Sequence, residues 1–323
     1  MRFIVFGTGA VGGVVGGRLA QHGHDVLFIG RPSQSAAIRK SGLRIEAPEA
    51  AITLPVCIVE HPAQIDWAED DVVFLAMKTQ DTARALDDLV AVAPADVPVV
   101  CMQNGVENER IALRWFPHVY GVCVMCPATY LTPGVVQASW SPTTGILDIG
   151  RYPSGVDIQA GAISAALQSA TFISKPRPDI MRWKYGKLLM SVGNSLAAIC
   201  GPASRSGPIA VRARNEAIAC LNAAGIDYVS DEEDAARRSE LPRSSVTGQA
   251  PRGGSSWQSL VRKTASIESG YLNGEIALLG RLHGIPTPVN QALQRVATNM
   301  ARERKPPGSR SLEDIMALFP SID

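Results

Sequence analysis

The sequence lacks a dominant charge of either sign. Lysine and arginine number 31 against 30 aspartates and glutamates, for a formal net charge of +1. No long run of one sign occurs, so a general attraction to nucleic acid or to an anionic membrane surface is not supported. Any bound anion must be recognised locally. Apolar runs of the ~18 residues needed to span a membrane are missing too. The stretch "FIVFGTGAVGGVVGG" has one arginine before it, is broken by glycines and continues into a helical pattern without a cleavage-like boundary. It does not read as a signal peptide, and a soluble, cytoplasmic protein is expected.

Metal-binding patterns are equally scarce. There is no HExxH and no second CxxC. Cys123 and Cys126 form one CxxC inside "GVCVMCPATY", which reads as a buried strand, where residues three apart point to opposite faces. They are expected to be small buried thiols, and no metal site is expected. Internal repeats are absent as well.

What is present is a chain of 323 residues, 46% hydrophobic and 19% charged. That length exceeds one comfortable core, so two domains are expected. "RFIVFG" ends in glycine, Val11, Val14, Val15 and Leu19 follow at helical spacing, and "HDVLFIG" is a second apolar run. Strand, tight turn, helix and strand make a βαβ unit. "DVVFLAMK", "VPVVCMQNG" and "VYGVCVMCPATY" continue the series, with helical stretches such as "DTARALDDLVAVA" between them. Apolar runs without strict alternation suit a parallel sheet covered on both faces.

Short β-like pieces, "GVVQASW" and "GILDIG", follow. "TFISKPRPD" gives one more short strand and two prolines, read as the interdomain linker. Helical patterns dominate thereafter. "SDEEDAARRSE" reads as a solvated loop or helix face, and "PRSSVTGQAPRGGSS" is too rich in Gly, Pro and Ser to be regular. The expected fold is α/β: an N-terminal Rossmann-type dinucleotide-binding domain over residues 1–175, then an all-α C-terminal domain over residues 176–323.

"FGTGAVGG" sits between the first strand and its helix. Gly7, Gly9 and Gly12 satisfy GxGxxG: the first permits the turn, the second admits a pyrophosphate to the backbone, and the third lets helix and strand pack closely. Helix N-terminal amides then face the phosphates. The candidate coenzyme-binding residues here are Gly7, Gly9, Ala10, Val11 and Gly12. An NAD site usually carries Asp or Glu at the end of the second strand, but here "FIGRPS" supplies Arg31, and Asp25 lies at the wrong end. A guanidinium grips a 2′-phosphate that a carboxylate would repel, so the expected coenzyme is NADP(H). Ser33 is equally a further contact or a plain loop serine. Lys78 in "LAMKTQDT" and Gln103 and Asn104 in "MQNGVENE" stand at C-terminal strand ends, where ligands of doubly wound sheets sit.

With "GTGAVGG", Arg31, "MKTQDT", "QNGVENE", "RWKYGKLLMSVGNSLAA" and "SSWQSLVRKTASIESGYLNG" in this order, nearly the whole chain resembles the ketopantoate reductases. The resemblance implies NADPH-dependent reduction of an α-keto acid to a 2-hydroxy acid. Its general acid would be a lysine in the first helix of the second domain. "KLLMSVGN" fits that pattern best at Lys187, with Ser191 at i+4 and Asn194 at i+7 on one helix face. Lys184 is then read as a lysine lying along an amphipathic helix with its head in water. Glu268 matches the family's carboxylate near the lysine and Ser256 its substrate-binding serine; Asn104, Ser191 and Asn194 complete the substrate contacts. Family members usually carry asparagine where this chain has Ser191, so one substrate hydrogen bond is shortened or lost.

The chemistry those roles require is coherent. Hydride transfer to a ketone leaves negative charge on the carbonyl oxygen, which needs a donor positioned beforehand. A lysine can both stabilise that charge and deliver the proton, best when burial lowers its pKa from ~10.4. The expected partner is a small 2-keto acid, with neither nucleic acid nor membrane, and the helical domain permits a homodimer of the kind the family often forms. Two other readings stay open: a reductase of a different 2-keto acid, and a non-catalytic NADP(H) sensor, which would need the glycines but no proton donor.

Overall fold

A computed structural model describes residues 1–241 and 254–319 of the chain. It begins with the expected unit: β1 (Arg2–Phe6), α1 (Ala10–Gln21) and β2 (Asp25–Ile29), with β1 and β2 parallel. Then come α2 (Pro32–Ser41), β3 (Leu43–Glu46), β4 (Ala51–Leu54), β5 (Cys57–Val59), β6 (Asp71–Leu75), α3 (Thr82–Val90), β7 (Val99–Cys101), α4 (Asn108–Ala112) and β8 (Val119–Met125). They are followed by β9 (Ala128–Thr132), β10 (Val135–Ala138), β11 (Gly145–Arg151), α5 (Ile158–Ser169) and β12 (Phe172–Ile173).

Among the described residues, eight strands form one sheet in the order β12-β11-β8-β7-β6-β1-β2-β5. It is parallel from β5 to β8, and β11 joins β8 antiparallel. The chain runs from β1 to β2 on one side and later returns to β6 on the other, so the strand order reverses around β1. The ends of β1, β2 and β6 meet there, at the position where doubly wound sheets take their ligands. Phe3, Val5, Phe28, Val72, Phe74 and Val100 are buried in one core cluster and Ile4, Ile29, Val73, Leu75 and Val99 in another. That two-sided burial is why the strands read as unbroken apolar runs.

A second sheet, β4-β3-β10-β9, was not expected from the sequence. β4 alternates exposed and partly buried residues and β3 buries only Leu43 and Ile45, over four positions each, so they leave little apolar signature. Helix α1 lies between the two sheets, and its extra glycines make room for both. A Cβ on Gly16 would lie 2.5 Å from the Phe28 ring, and one on Gly13 2.6 Å from Val136. The single apolar run expected over residues 119–130 is two strands in two sheets, β8 and β9. Cys123 is buried in β8 and Cys126 lies half-buried just past it, both as free thiols. Burial pushes the Cys126 thiol up to about 12.

The remaining helices are α6 (Ile180–Ser191), α7 (Gly193–Cys200), α8 (Pro208–Ala223), α9 (Asp231–Ser239), α10 (Ser255–Val261), α11 (Asn273–His283), α12 (Pro288–Arg302) and α13 (Leu312–Met316). Two compact units result. The first comprises Met1–Lys184 with the described residues from Ser230 to 241; the second comprises Tyr185–Val229 and residues 254–319. The boundary thus falls inside α6, later than the prolines of "TFISKPRPD" suggested. Arg177 explains why those prolines do not release the chain: it stacks 4.1 Å over Trp183 and donates to Asp148 of β11 at 3.1 Å.

The segment "SDEEDAARRSE" follows the helix-face alternative, most of its residues being exposed, but it is anchored at two points. It forms α9, capped reciprocally by Ser230 and Glu233, and buries Asp234 and Arg237. Arg237 reaches the same Asp148 through Nε at 2.7 Å, so α9 belongs to the sheet unit. The Gly/Pro/Ser-rich stretch expected to be irregular lies almost wholly outside the described residues. No helix among the described residues is long and apolar enough to cross a membrane.

Candidate active site

The turn after β1 is built as GxGxxG requires, and its three glycines have different reasons. Gly7 sits at φ +106, where side chains are strained, and a Cβ there would lie 2.6 Å from the Met77 amide nitrogen. At Gly12 a Cβ would collide with the Gly7 carbonyl oxygen and come 2.8 Å from the Ala76 methyl. Gly9, the N-cap of α1, is different: a Cβ there meets nothing within 4 Å. The protein's own packing therefore explains the first and third glycines but not the second. Ala10 and Val11 form the first turn of α1 and offer its N-terminal amides to the same space.

Gly30 and Arg31 follow β2, and the exposed Arg31 guanidinium pairs with Asp81 at 2.7 Å. Asp81 belongs to a 3-10 turn, Thr79–Asp81, whose N-cap is Lys78. Beyond β7, Gln103 and Asn104 occupy the next strand end. The Gln103 side-chain amide donates to the Met77 carbonyl at 2.9 Å and to Thr82 Oγ1 at 2.8 Å. The Asn104 carbonyl accepts from Asn108 Nδ2 at 3.0 Å. Two neighbouring strand-end loops are thereby joined through buried polar groups.

Lys184 contradicts the expectation of a lysine with its head in water. Its side chain is 2% exposed, and Nζ lies 2.6 Å from Oε1 of Glu109, itself fully buried. Burial pushes the Glu109 carboxyl up, opposed by the Lys184 ammonium. Periodicity could not reveal this, because the partner lies far along the chain on α4. Asp81, beside Arg31, was missed for the same reason.

In the helical unit, Lys187 is half-buried on α6. Ser191 ends that helix, its hydroxyl donating to the Lys187 carbonyl at 2.9 Å. The helix expected through Asn194 has a one-residue irregularity at Val192, whose backbone stays helical (φ −62, ψ −27) and whose carbonyl accepts from Asn273 Nδ2 at 2.9 Å. Asn194 lies beyond it, at the start of α7, and faces the start of α10: a Cβ on Gly254 would lie 3.5 Å from Asn194 Oδ1. Ser256 was weighed as a helix N-cap, but the cap is Gly254. Its hydroxyl is wholly buried and has no hydrogen-bond partner among the described residues. Glu268 is buried in the 3-10 turn before α11. The structure brings Asn194 and the Gly254–Ser256 turn together within this unit.

A doubly wound sheet with this glycine turn and a separate helical unit defines the class of two-unit Rossmann-type dinucleotide-binding folds. The chain belongs to the ketopantoate reductase family, a family of oxidoreductases: the family model "Ketopantoate reductase PanE/ApbA" matches residues 3–154 and "Ketopantoate reductase PanE/ApbA C terminal" matches residues 179–301. It is similar to a 2-dehydropantoate 2-reductase of Pyrococcus horikoshii, 31% identical over 200 residues; that match covers 62% of this chain and 64% of the relative, less than two thirds of its length. Among solved structures it resembles a PanE/ApbA family ketopantoate reductase from Ralstonia eutropha JMP134, with TM-score 0.78 and 25% identity over 94% of this chain and all of the other. It shares its fold with a D-mandelate dehydrogenase solved with NADH and anilino(oxo)acetate, at TM-score 0.78 and 21% identity over 95% of this chain and all of that one.

Proposed function

We propose that this protein reduces 2-dehydropantoate (ketopantoate) to pantoate with NADPH. The observation that carries the reading is Gly9, a glycine in the dinucleotide turn where a Cβ would meet no described residue within 4 Å. Gly7, Gly9, Ala10, Val11 and Gly12 would hold the pyrophosphate, Arg31 the 2′-phosphate, and Lys78 and Asn104 further parts of the coenzyme. When bound, the reduced nicotinamide supplies a hydride to the 2-keto carbon.

The chain's own residues handle the charge and the proton. Lys187 donates to the carbonyl oxygen as it turns anionic and gives it a proton, so the ketone leaves as an alcohol. Glu268 orients that ammonium. Asn104, Ser191, Asn194 and Ser256 bind the substrate, and a buried Ser256 hydroxyl without a partner among the described residues is what such a contact requires before the substrate arrives. The reading also places the protein in the cytoplasm and permits a homodimer, which sedimentation of the purified chain tests for its oligomeric part.

A second reading changes the substrate to another 2-keto acid. Ser191 favours it: where the family usually has an amide, this hydroxyl donates to its own helix instead. Loss of NADPH absorbance with ketopantoate and a panel of 2-keto acids decides. Consumption with ketopantoate supports the first reading, and consumption only with another acid supports the second. Binding of NADPH without turnover would leave a dinucleotide sensor.

A further inference from the structure

We propose that the buried pair Lys184–Glu109 is a positioning device that sets the strand-end segment Gln103–Asn104, and through it the contact Asn104 makes in the reaction. The inference rests on the reductase reading for that contact, not for the pair itself. Besides its 2.6 Å pairing with Glu109, the Lys184 ammonium donates to the Gln103 carbonyl at 2.8 Å and to the Val122 carbonyl at 3.3 Å. Beside the ion pair, two of its hydrogens therefore go to backbone carbonyls of the sheet unit, and one of these is the peptide oxygen between Gln103 and Asn104. The next carbonyl, that of Asn104, is held by Asn108 Nδ2. Both peptide planes flanking Asn104 are fixed.

The slot for the pair is built into the sheet. Gly121 stands inside β8, where glycine weakens a strand. A Cβ there would lie 3.2 Å from Glu109 Oε1 and 3.3 Å from Lys184 Cδ, closer than packed carbons normally sit. Packing alone gives no reason for this arrangement, since apolar side chains of similar volume generally stabilise such a place as well or better than a buried ion pair. What apolar side chains cannot do is grip a carbonyl at a chosen point. Burial pushes the Glu109 carboxyl up, a direction that loss of the Lys184 ammonium in K184M would extend.

The test is a double-mutant cycle between K184M and N104A, with hydrogen exchange as an independent reading. With the substrate turned over by the native protein, K184M should lower kcat/KM by about 30–100-fold, the scale of an ångström-level misplacement. In the N104A background the same change should cost less than about 3-fold, because the two act through one contact. NADPH affinity should fall no further in K184M than it does in N104A. Exchange should quicken in the amides of residues 102–106 of K184M and not across the rest of the sheet.

Independent, multiplying effects on kcat/KM would overturn the inference, as would exchange that quickens everywhere or nowhere. Should K184M fail to fold, the double variant K184M/E109Q, which removes the charge of both partners at similar volume, carries the same cycle. If the native protein reduces no 2-keto acid, the reductase reading fails by itself. Exchange confined to 102–106 would still support the positioning role, and its absence would still reject it.

Discussion

The Arg31 guanidinium donates to Asp81 at 2.7 Å, tying the end of β2 to the turn after β6. Both partners are largely in water, so the pair adds little stability. Its consequence under the proposed NADPH reading is for coenzyme choice: a 2′-phosphate would compete with Asp81 for the same guanidinium. Replacing Arg31 by Ala removes one charge-assisted contact, and NADPH should bind about 10–100-fold more weakly, with NADH changed less than about 3-fold. Asp81→Asn should act the other way, tightening NADPH a few-fold by removing the competitor. Calorimetric titration of both coenzymes into both variants measures this, and equal losses for NADPH and NADH in R31A would reject the assignment.

Lys187→Ala should lower turnover by about 10²–10⁴-fold, the contribution of a positioned proton donor, while NADPH affinity changes less than about 3-fold. Stopped-flow reduction under saturating coenzyme separates the two quantities. The matching change at Lys184 is expected to differ in kind, because that ammonium is buried in the sheet unit and bonded to Glu109. A larger loss of the proton-transfer step in K184A than in K187A, with coenzyme binding and melting temperature intact in both, would reverse the assignment.

The parts of the fold that were legible are the short-range ones. Strand, GxGxxG and helix lie within thirty residues, and Arg31 is placed by the length of β2 alone. The parts that were not legible depend on partners distant in sequence. Lys184 has the spacing of a surface residue until Glu109 is brought beneath it. "SDEEDAARRSE" has the composition of a solvated segment until Arg237 finds Asp148. Helical period placed Ser191 and Asn194 on one face but could not show that Asn273, from another helix, takes the Val192 carbonyl between them. Local pattern specifies an element; which of its polar groups are claimed is decided by tertiary contacts.

Glu233 gives a pH dependence with a definite sign. Its two carboxylate oxygens accept from Arg182 at 2.8 and 2.6 Å, and the Ser230 backbone amide donates to it at 2.9 Å. The Arg182 hydrogen bond, with that amide, holds its carboxyl at about 2, below the ordinary 4.5. A carboxyl depressed on folding contributes stability that is fully present above the unfolded value and is lost as pH falls through the folded one. The melting-temperature gap between the native protein and E233Q should therefore be constant above about pH 5 and close as the pH approaches 2. A gap that widens on acidification would show that Glu233 is not held as described.

The two inner glycines of the turn separate binding from folding, because their surroundings differ. A methyl at Gly12 meets the Gly7 carbonyl and the Ala76 side chain, and backbone cannot move aside as a flexible side-chain end would. G12A should therefore cost about 1–3 kcal/mol through overpacking, visible as a lower melting temperature without coenzyme. A methyl at Gly9 meets nothing, and the backbone there, at φ −92, is open to any residue. G9A should melt within about 1 °C of the native protein, as surface changes away from strained positions do. Its defect should appear only when coenzyme is added, as an NADPH dissociation constant raised at least about tenfold by a methyl in the path of the pyrophosphate. Thermal melts with and without NADPH read both variants in one experiment. Should G9A bind NADPH as the native protein does, the pyrophosphate does not lie over this turn, and the coenzyme assignment falls even with the fold intact.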